Sequence, residues 1–347
     1  MSSFQATRHA VTASLRRAAS RNALALPSLV FCIVLVLVGV ARSDVFLSTF
    51  NVGNVIVQVT ALLLVSLGQT YAVGSGGLDL SVGSIVSLTA VVTAVSFEPL
   101  GIPSAISLGL LAGIAIGFIN GIVVASGVEP FLVTLANLSV AQGIALFVSP
   151  VPGGTVPRSY ATIAAFWGAV PVALPFVLLV AAWATWHIRR TRTGVNIVSV
   201  GGNEEVSRLC GIPAGRTYVK AYMLSALMAA LAGLFLVART RTGDPTIGAR
   251  FTLDSLAAVV LGGTVLGGGR MTVVGTVLGA VALGLLSNVL NLLQVPAFYQ
   301  MPVKGFLVIG AVLIPNLISR GVHRRHAAQA AEVAIESLRL EKESDRA

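Results

Sequence analysis

Ten stretches of this chain run long enough with little or no charge to cross a hydrocarbon layer, and few other solvents would accept them. A bilayer core about 30 Å thick takes ~20 apolar residues of helix. The stretches lie at about 24–41, 53–73, 85–97, 103–127, 130–149, 161–188, 218–238, 253–267, 271–293 and 301–318. The third and eighth are short and abut glycine-rich breaks, so they read as half-helices or as miscounted spans, with broken or half-helices near 74–84 and 262–270. Composition agrees: 55% of the 347 residues are hydrophobic and 10% are charged. A water-soluble domain carries about 25% charged residues. Too little polar surface remains to face water on all sides, and the fold class expected is an all-α integral membrane protein.

The net charge of +10 could point to nucleic acid or to a membrane surface. The basic residues sit in the two tails and one central loop, with no aromatic residues interleaved, so a base-stacking groove is excluded. The charge instead reports topology, because Lys and Arg accumulate on the cytoplasmic side. With both tails inside, the N-terminal tail holds four, 189–220 six, 319–347 six and a turn at Arg270 one, so 17 of 23 lie inside. Arg42, Arg158, Arg239, Arg241, Arg250 and Lys304 fall outside. The organisation expected is a basic tail over 1–23, a membrane domain over 24–318 with an inner loop at 189–217, and a polar tail over 319–347. Residues 327–343 within that tail suit a short surface helix. The first span follows Arg8, Arg16, Arg17 and Arg21, as a signal peptide would. Its 18-residue apolar run exceeds the usual ~7–15, which favours a retained anchor.

Enzymatic chemistry has no footing. There is no Gly-x-x-x-x-Gly-Lys-[Ser/Thr] loop, and the run Gly262 to Arg270 lacks the lysine and hydroxyl that would hold phosphate. His9, His187, His323 and His326 lie in tails or at a span end, with no metal or nucleophile partnership. Cys32 and Cys210 sit at different depths, which excludes a disulfide, and two thiols alone make no metal site. Ionisable residues inside a bilayer mark coupled carriers. Here Asp79, Glu98, Glu129 and Asp254 all fall at span ends or breaks, and only Asp79 supports that alternative.

Glycines at 109, 113, 117 and 121 recur every fourth residue, and Gly275 and Gly279 repeat the spacing once. Such rows let another backbone approach closely and have a packing role. In the central loop, Asn203 suits an N-cap, Glu204 and Glu205 suit the positive first turn, and Gly211 suits a left-handed stop. Val206, Leu209 and Cys210 share one face of the resulting one-to-two-turn helix. A helix so short needs a surface to persist, either its own bundle or a cytoplasmic subunit.

Four segments carry a resemblance. They are Gly76-Gly77-Leu78-Asp79-Leu80-Ser81-Val82-Gly83, Pro130-Phe131-Leu132-Val133-Thr134-Leu135, the loop from Gly201 to Ile212, and Phe251 to Thr264. In order and spacing, from about residue 50 to 315, the chain resembles permeases of the ribose/xylose/galactose class of ATP-binding-cassette sugar importers. That superfamily is shared with branched-chain amino-acid permeases. The resemblance implies a dimeric ten-helix importer in a bacterial inner membrane, served by a cytoplasmic ATPase and a periplasmic binding protein. ATP and Mg would be bound by the partner ATPase, with no cofactor on this chain. It also implies that the loop between the sixth and seventh spans docks on that ATPase. The contact residues would be Gly202, Asn203, Glu204, Glu205, Arg208, Leu209, Gly211 and Ile212.

The break after the second span must be buried in protein or line a water-filled path. Gly77, Asp79 and Ser81 belong to it, and Asp79 and Ser81 suit a cap on the helix that follows more than a solute contact. Gln69, Asn120, Asn137, Gln142, Asn288 and Asn291 supply uncharged amides for a solute path, although each alone also serves as an interhelical tie. Outer Arg239, Arg241 and Arg250 either hold acidic lobes of the binding protein or reach for headgroups. The function expected is import of a monosaccharide-like solute. The alternatives are a branched-chain amino-acid or nucleoside permease and a stand-alone ion-coupled carrier. No cation inside the spans awaits a carboxylate solute, which favours an uncharged one.

Overall fold

The computed structural model describes residues 25–168, 170–296 and 298–300, together with positions 302, 303, 305, 306 and 310. The basic N-terminal tail, most of the tenth span including Lys304, and the polar C-terminal tail lie outside the described residues.

The described chain is built from helices. Six are long and apolar enough to cross a membrane. They are α2 (Thr49–Gly74), α3 (Val82–Leu100), α4 (Ile102–Ala125), α5 (Pro130–Val148), α10 (Ala214–Thr240) and α12 (Val273–Leu292). α1 (Leu26–Arg42) is apolar but shorter, at 17 residues. The others are a single turn α6 (Arg158–Ala161), then α7 (Ala173–Arg190), α8 (Arg192–Gly202), α9 (Glu204–Leu209) and α11 (Ala249–Leu261). Local chemistry fixes many of the starts. Proline opens α1, α4 and α5, where the missing N–H is unsatisfied in any case. Ser48, Thr191 and Thr272 accept the N–H of Asn51, Gly194 and Gly275 to cap α2, α8 and α12.

Three sequence expectations need correction. The third span is not a half-helix: α3 has 19 residues. It passes Glu98 and Pro99 and stops at Gly101, since a charge at a helix end costs little once it reaches the interface. The sixth span is shorter than the apolar run 161–188. Gly168, with φ 61°, turns a two-stranded hairpin of β1 (Phe166–Trp167) and β2 (Val170–Pro171), and only then does α7 begin. The inner loop carries α8 ahead of the short helix, where the sequence indicated the short helix alone. The eighth span is short, as expected: α11 has 13 residues.

α3 and α10 form the centre, each 78% buried along its most apolar stretch. α10 packs on α4, α2 and α3, and α12 packs on α1, α2 and α11. The glycine row of α4 makes one close seam. A Cβ on Gly117 would stand 2.7 Å from the Tyr222 carbonyl oxygen, and one on Gly121 would stand 2.5 Å from the Val219 Cα. Gly275 and Gly279 play the same part for α12 against Gly262 and Ala258 of α11. Within the bundle, hydroxyls turn back on their own helix: Thr60 donates to Ile56, Ser66 to Leu62 and Thr70 to Ser66. That satisfies them without water.

Candidate functional site

The short helix α9 forms as its residues dictate. The Asn203 side chain accepts the Val206 N–H at 2.9 Å, and Gly211 stops the helix in the left-handed region with φ 78°. Glu204 accepts from the Tyr218 hydroxyl of α10 at 2.8 Å and pairs with Arg208 at 2.6 Å, so both are held by this chain itself. The apolar face points away from the bundle: Val206 is 54% exposed and Leu209 84%, and Cys210 is exposed beside them. Of the side chains in α9, only that of Ser207 belongs to a buried residue.

The membrane break occupies Ser75 to Ser81, between α2 and α3. Asp79 is fully buried and accepts three hydrogen bonds, from the Ser81 N–H (3.0 Å), the Ser81 hydroxyl (2.6 Å) and the Ser225 hydroxyl of α10 (2.8 Å). Asn120 of α4 donates to the Ser81 oxygen and in turn accepts from Asn137 of α5. Thr134 donates to the Leu78 carbonyl. The break is therefore tied to α4, α5 and α10 by one polar network. Ser81 is not a side-chain cap of α3, as the sequence indicated; its hydroxyl is spent on Asp79.

Three glycine segments converge below this network. The Gly269 N–H donates to the Gly74 carbonyl at 3.2 Å, and Gly201 of α8 packs so tightly that a Cβ would collide with the Gly74 oxygen. A Cβ on Gly268 would lie 2.7 Å from the Gly76 nitrogen. Gly76 itself has φ 92°, a conformation open to glycine at little cost. The end of α8, which leads into α9, thus touches both the membrane break and the turn between α11 and α12. Beside this junction a cavity of about 310 Å³ is lined by Gly76, Glu129, Gly201, Glu204, Arg208 and Tyr218, among others.

The remaining sequence candidates separate clearly. Asn288 forms a reciprocal amide pair with Asn51 (2.8 and 3.1 Å), Gln142 donates to the Pro245 carbonyl, and Asn291 accepts from Gln300. These are ties between segments. Gln69 is fully buried and neither amide atom has a partner among the described residues. The arginines sit at the opposite end: Arg239, Arg241 and Arg250 are all exposed. Arg250 lies 4.9 Å from the centre of the Phe251 ring, and Arg241 closes α10 in the left-handed region at φ 57°. Sequence reasoning missed Tyr222, whose buried hydroxyl has no partner among the described residues, because an aromatic residue inside an apolar helix gives no signal of its own. Cys32 and Cys210 are both free, and the described residues contain no group of His, Cys, Asp and Glu able to hold a metal.

The family model described as "Branched-chain amino acid transport system / permease component" matches residues 51–312. The chain belongs to this permease family. The ribose import permease of Escherichia coli K12 is 37% identical over 300 residues, 83% of this chain and 92% of that one. The ribose import permease of Bacillus subtilis 168 is 38% identical over 304 residues, 83% and 91% of the two chains. The D-allose transport system permease of Escherichia coli K12 is 32% identical over 299 residues, 84% and 91%. No solved structure matches the chain. As a family member the chain is a multi-pass membrane transport permease, and its exposed apolar side chains, such as Phe147 on α5, suit contact with lipid.

Proposed function

We propose that the chain is the membrane-spanning permease of an ATP-driven importer, and that it carries an uncharged monosaccharide-like solute delivered by a periplasmic binding protein. The observation that carries this is the likeness to ribose and allose permeases over more than four fifths of the chain. In this reading the membrane domain has ten spans with both termini in the cytoplasm, as the 17-to-6 division of Lys and Arg favours. Two copies, or this chain and a related one, form the conduit. ATP and Mg bind in the partner ATPase.

The inner loop is then the contact with that ATPase. Leu209 and Val206 supply apolar area that their own bundle leaves uncovered, while Glu204 and Arg208 brace α9 from behind. Because α8 meets Gly74 and Gly76, movement of α9 by the ATPase reaches the membrane break directly, as an element with two packed arrangements requires. Asp79 supports a structural role in place of ion coupling, since three hydrogen bonds occupy its carboxylate. The exposed arginines at the outer end suit acidic lobes of the binding protein.

Affinity purification of the tagged chain from its native membrane in mild detergent tests the assignment. An ABC-type ATPase recovered with it, together with ATP-dependent ribose uptake by the reconstituted complex, is the result expected. Uptake driven by an ion gradient without any ATPase would refute the importer reading. ATP-dependent uptake of branched-chain amino acids in place of ribose would redirect the solute class.

A further inference from the structure

Amides are costly inside a bilayer unless paired, because no water is present to replace a missing partner. The amides Asn51, Asn120, Asn137, Gln142, Asn288 and Asn291 obey that rule with hydrogen bonds of 2.6–3.1 Å. Gln69 departs from it twice over, with both its oxygen and its nitrogen unpartnered at zero exposure. The Tyr222 hydroxyl, equally buried, is unpartnered as well. Thr89 and Thr93 carry the other unpartnered hydroxyls among the described residues, but they face Gly113 and Gly109 of α4, about two and three turns along α3 from the break.

Gln69 and Tyr222 belong to α2 and α10, which pack on one another. A Cβ on the adjacent Gly68 would stand 2.7 Å from the Ser225 carbonyl, so Gln69 lies level with the residue whose hydroxyl holds Asp79. Ala72, three residues on from Gln69 and near the same flank of α2, packs in one cluster with Tyr222. Tyr222 in turn contacts Gly77 in the break. Tyr222 therefore touches the segment where backbone leaves the helix, and Gln69 lies at the level of Ser225, which binds Asp79 of that segment.

We propose that Gln69 and Tyr222 form the station inside the membrane that recognises a hydroxylated, uncharged solute; this rests on the importer reading above. An amide offers two donors and an acceptor, and a phenol offers one of each, which matches adjacent sugar hydroxyls without demanding charge. The neighbouring carboxylate is already occupied by Ser81 and Ser225, so a cationic solute finds no free counter-charge there. In this conformation the station is sealed, and it meets solute only when the surrounding helices part.

The test uses the full complex with its ATPase and binding protein in proteoliposomes, with radiolabelled ribose as probe. Gln69→Leu and Tyr222→Phe are compared with wild type for uptake per ATP, for assembly and for melting temperature. Each variant is expected to lower uptake about tenfold, the upper range for one neutral hydrogen bond. Assembly should persist, and melting should be unchanged or higher, because removing an unpaired buried polar atom relieves a cost. Unaltered uptake in both variants overturns the proposal. So does a fall in melting temperature that parallels the lost uptake, which would make the two groups structural ties. If the wild-type complex assembles yet takes up no ribose with ATP, the importer reading itself fails for this solute, and the station falls with it.

Discussion

Replacing Leu209 by alanine separates docking from folding. The side chain is 84% exposed on the permease alone, so nearly all of its apolar area is available to a partner. Removing about three carbon groups at ~0.8 kcal/mol each, scaled by that exposure, withdraws about 2 kcal/mol of burial from a docked complex. At 1.4 kcal/mol per decade this weakens ATPase binding about 30-fold. The permease itself should barely respond, because exposed substitutions change stability by about 0.5 kcal/mol or less. Titration of detergent-solubilised permease with the purified ATPase reads the first quantity, and thermal melting of the permease reads the second. An unchanged Kd would refute the docking role of this face. A melting temperature lowered in proportion to the lost affinity would mean that Leu209 packs on its own bundle after all. Glu204 is the poorer probe, because its bonds to Tyr218 and Arg208 would be lost with it.

The remaining predictions test packing and the outer surface. Gly117→Ala should destabilise the permease by about 1–3 kcal/mol through overpacking against Tyr222 and Ala226, whereas Gly143→Ala, with nothing within 4 Å, should be neutral or stabilising; melting of the pair checks this. For the reciprocal pair, Asn51→Leu or Asn288→Leu alone leaves a buried amide stranded. The double variant should recover part of the loss, with a coupling of about 0.6 kcal/mol or more in a double-mutant cycle. Arg241→Glu should weaken binding-protein docking more at low salt than at high salt, measured by co-sedimentation with proteoliposomes, while insertion stays normal.

The amino-acid sequence by itself determined the solvent and the local geometry. Uncharged runs of about 20 residues demand lipid, and prolines, Ser48, Asn203 and Gly211 mark starts and stops because caps act within one turn of chain. The glycine row of α4 was legible for the same reason, since a four-residue period fixes a face whatever lies opposite. Hydropathy alone could not end α3 correctly or separate the hairpin from α7, because a window averages over a single glycine or charge.

Only the tertiary structure decided what each polar residue does. Gln69 and Asn288 look alike in sequence, two amides inside apolar helices. Asn288 meets Asn51, 237 residues away, and is consumed by it, while Gln69 finds no hydrogen-bond partner among the described residues. Likewise the sequence puts Leu209 on the apolar face of a short helix, but only the bundle decides that this face stays uncovered. Hydrogen-bond satisfaction and burial depend on partners brought together from distant parts of the chain, and no local pattern records which of them arrive.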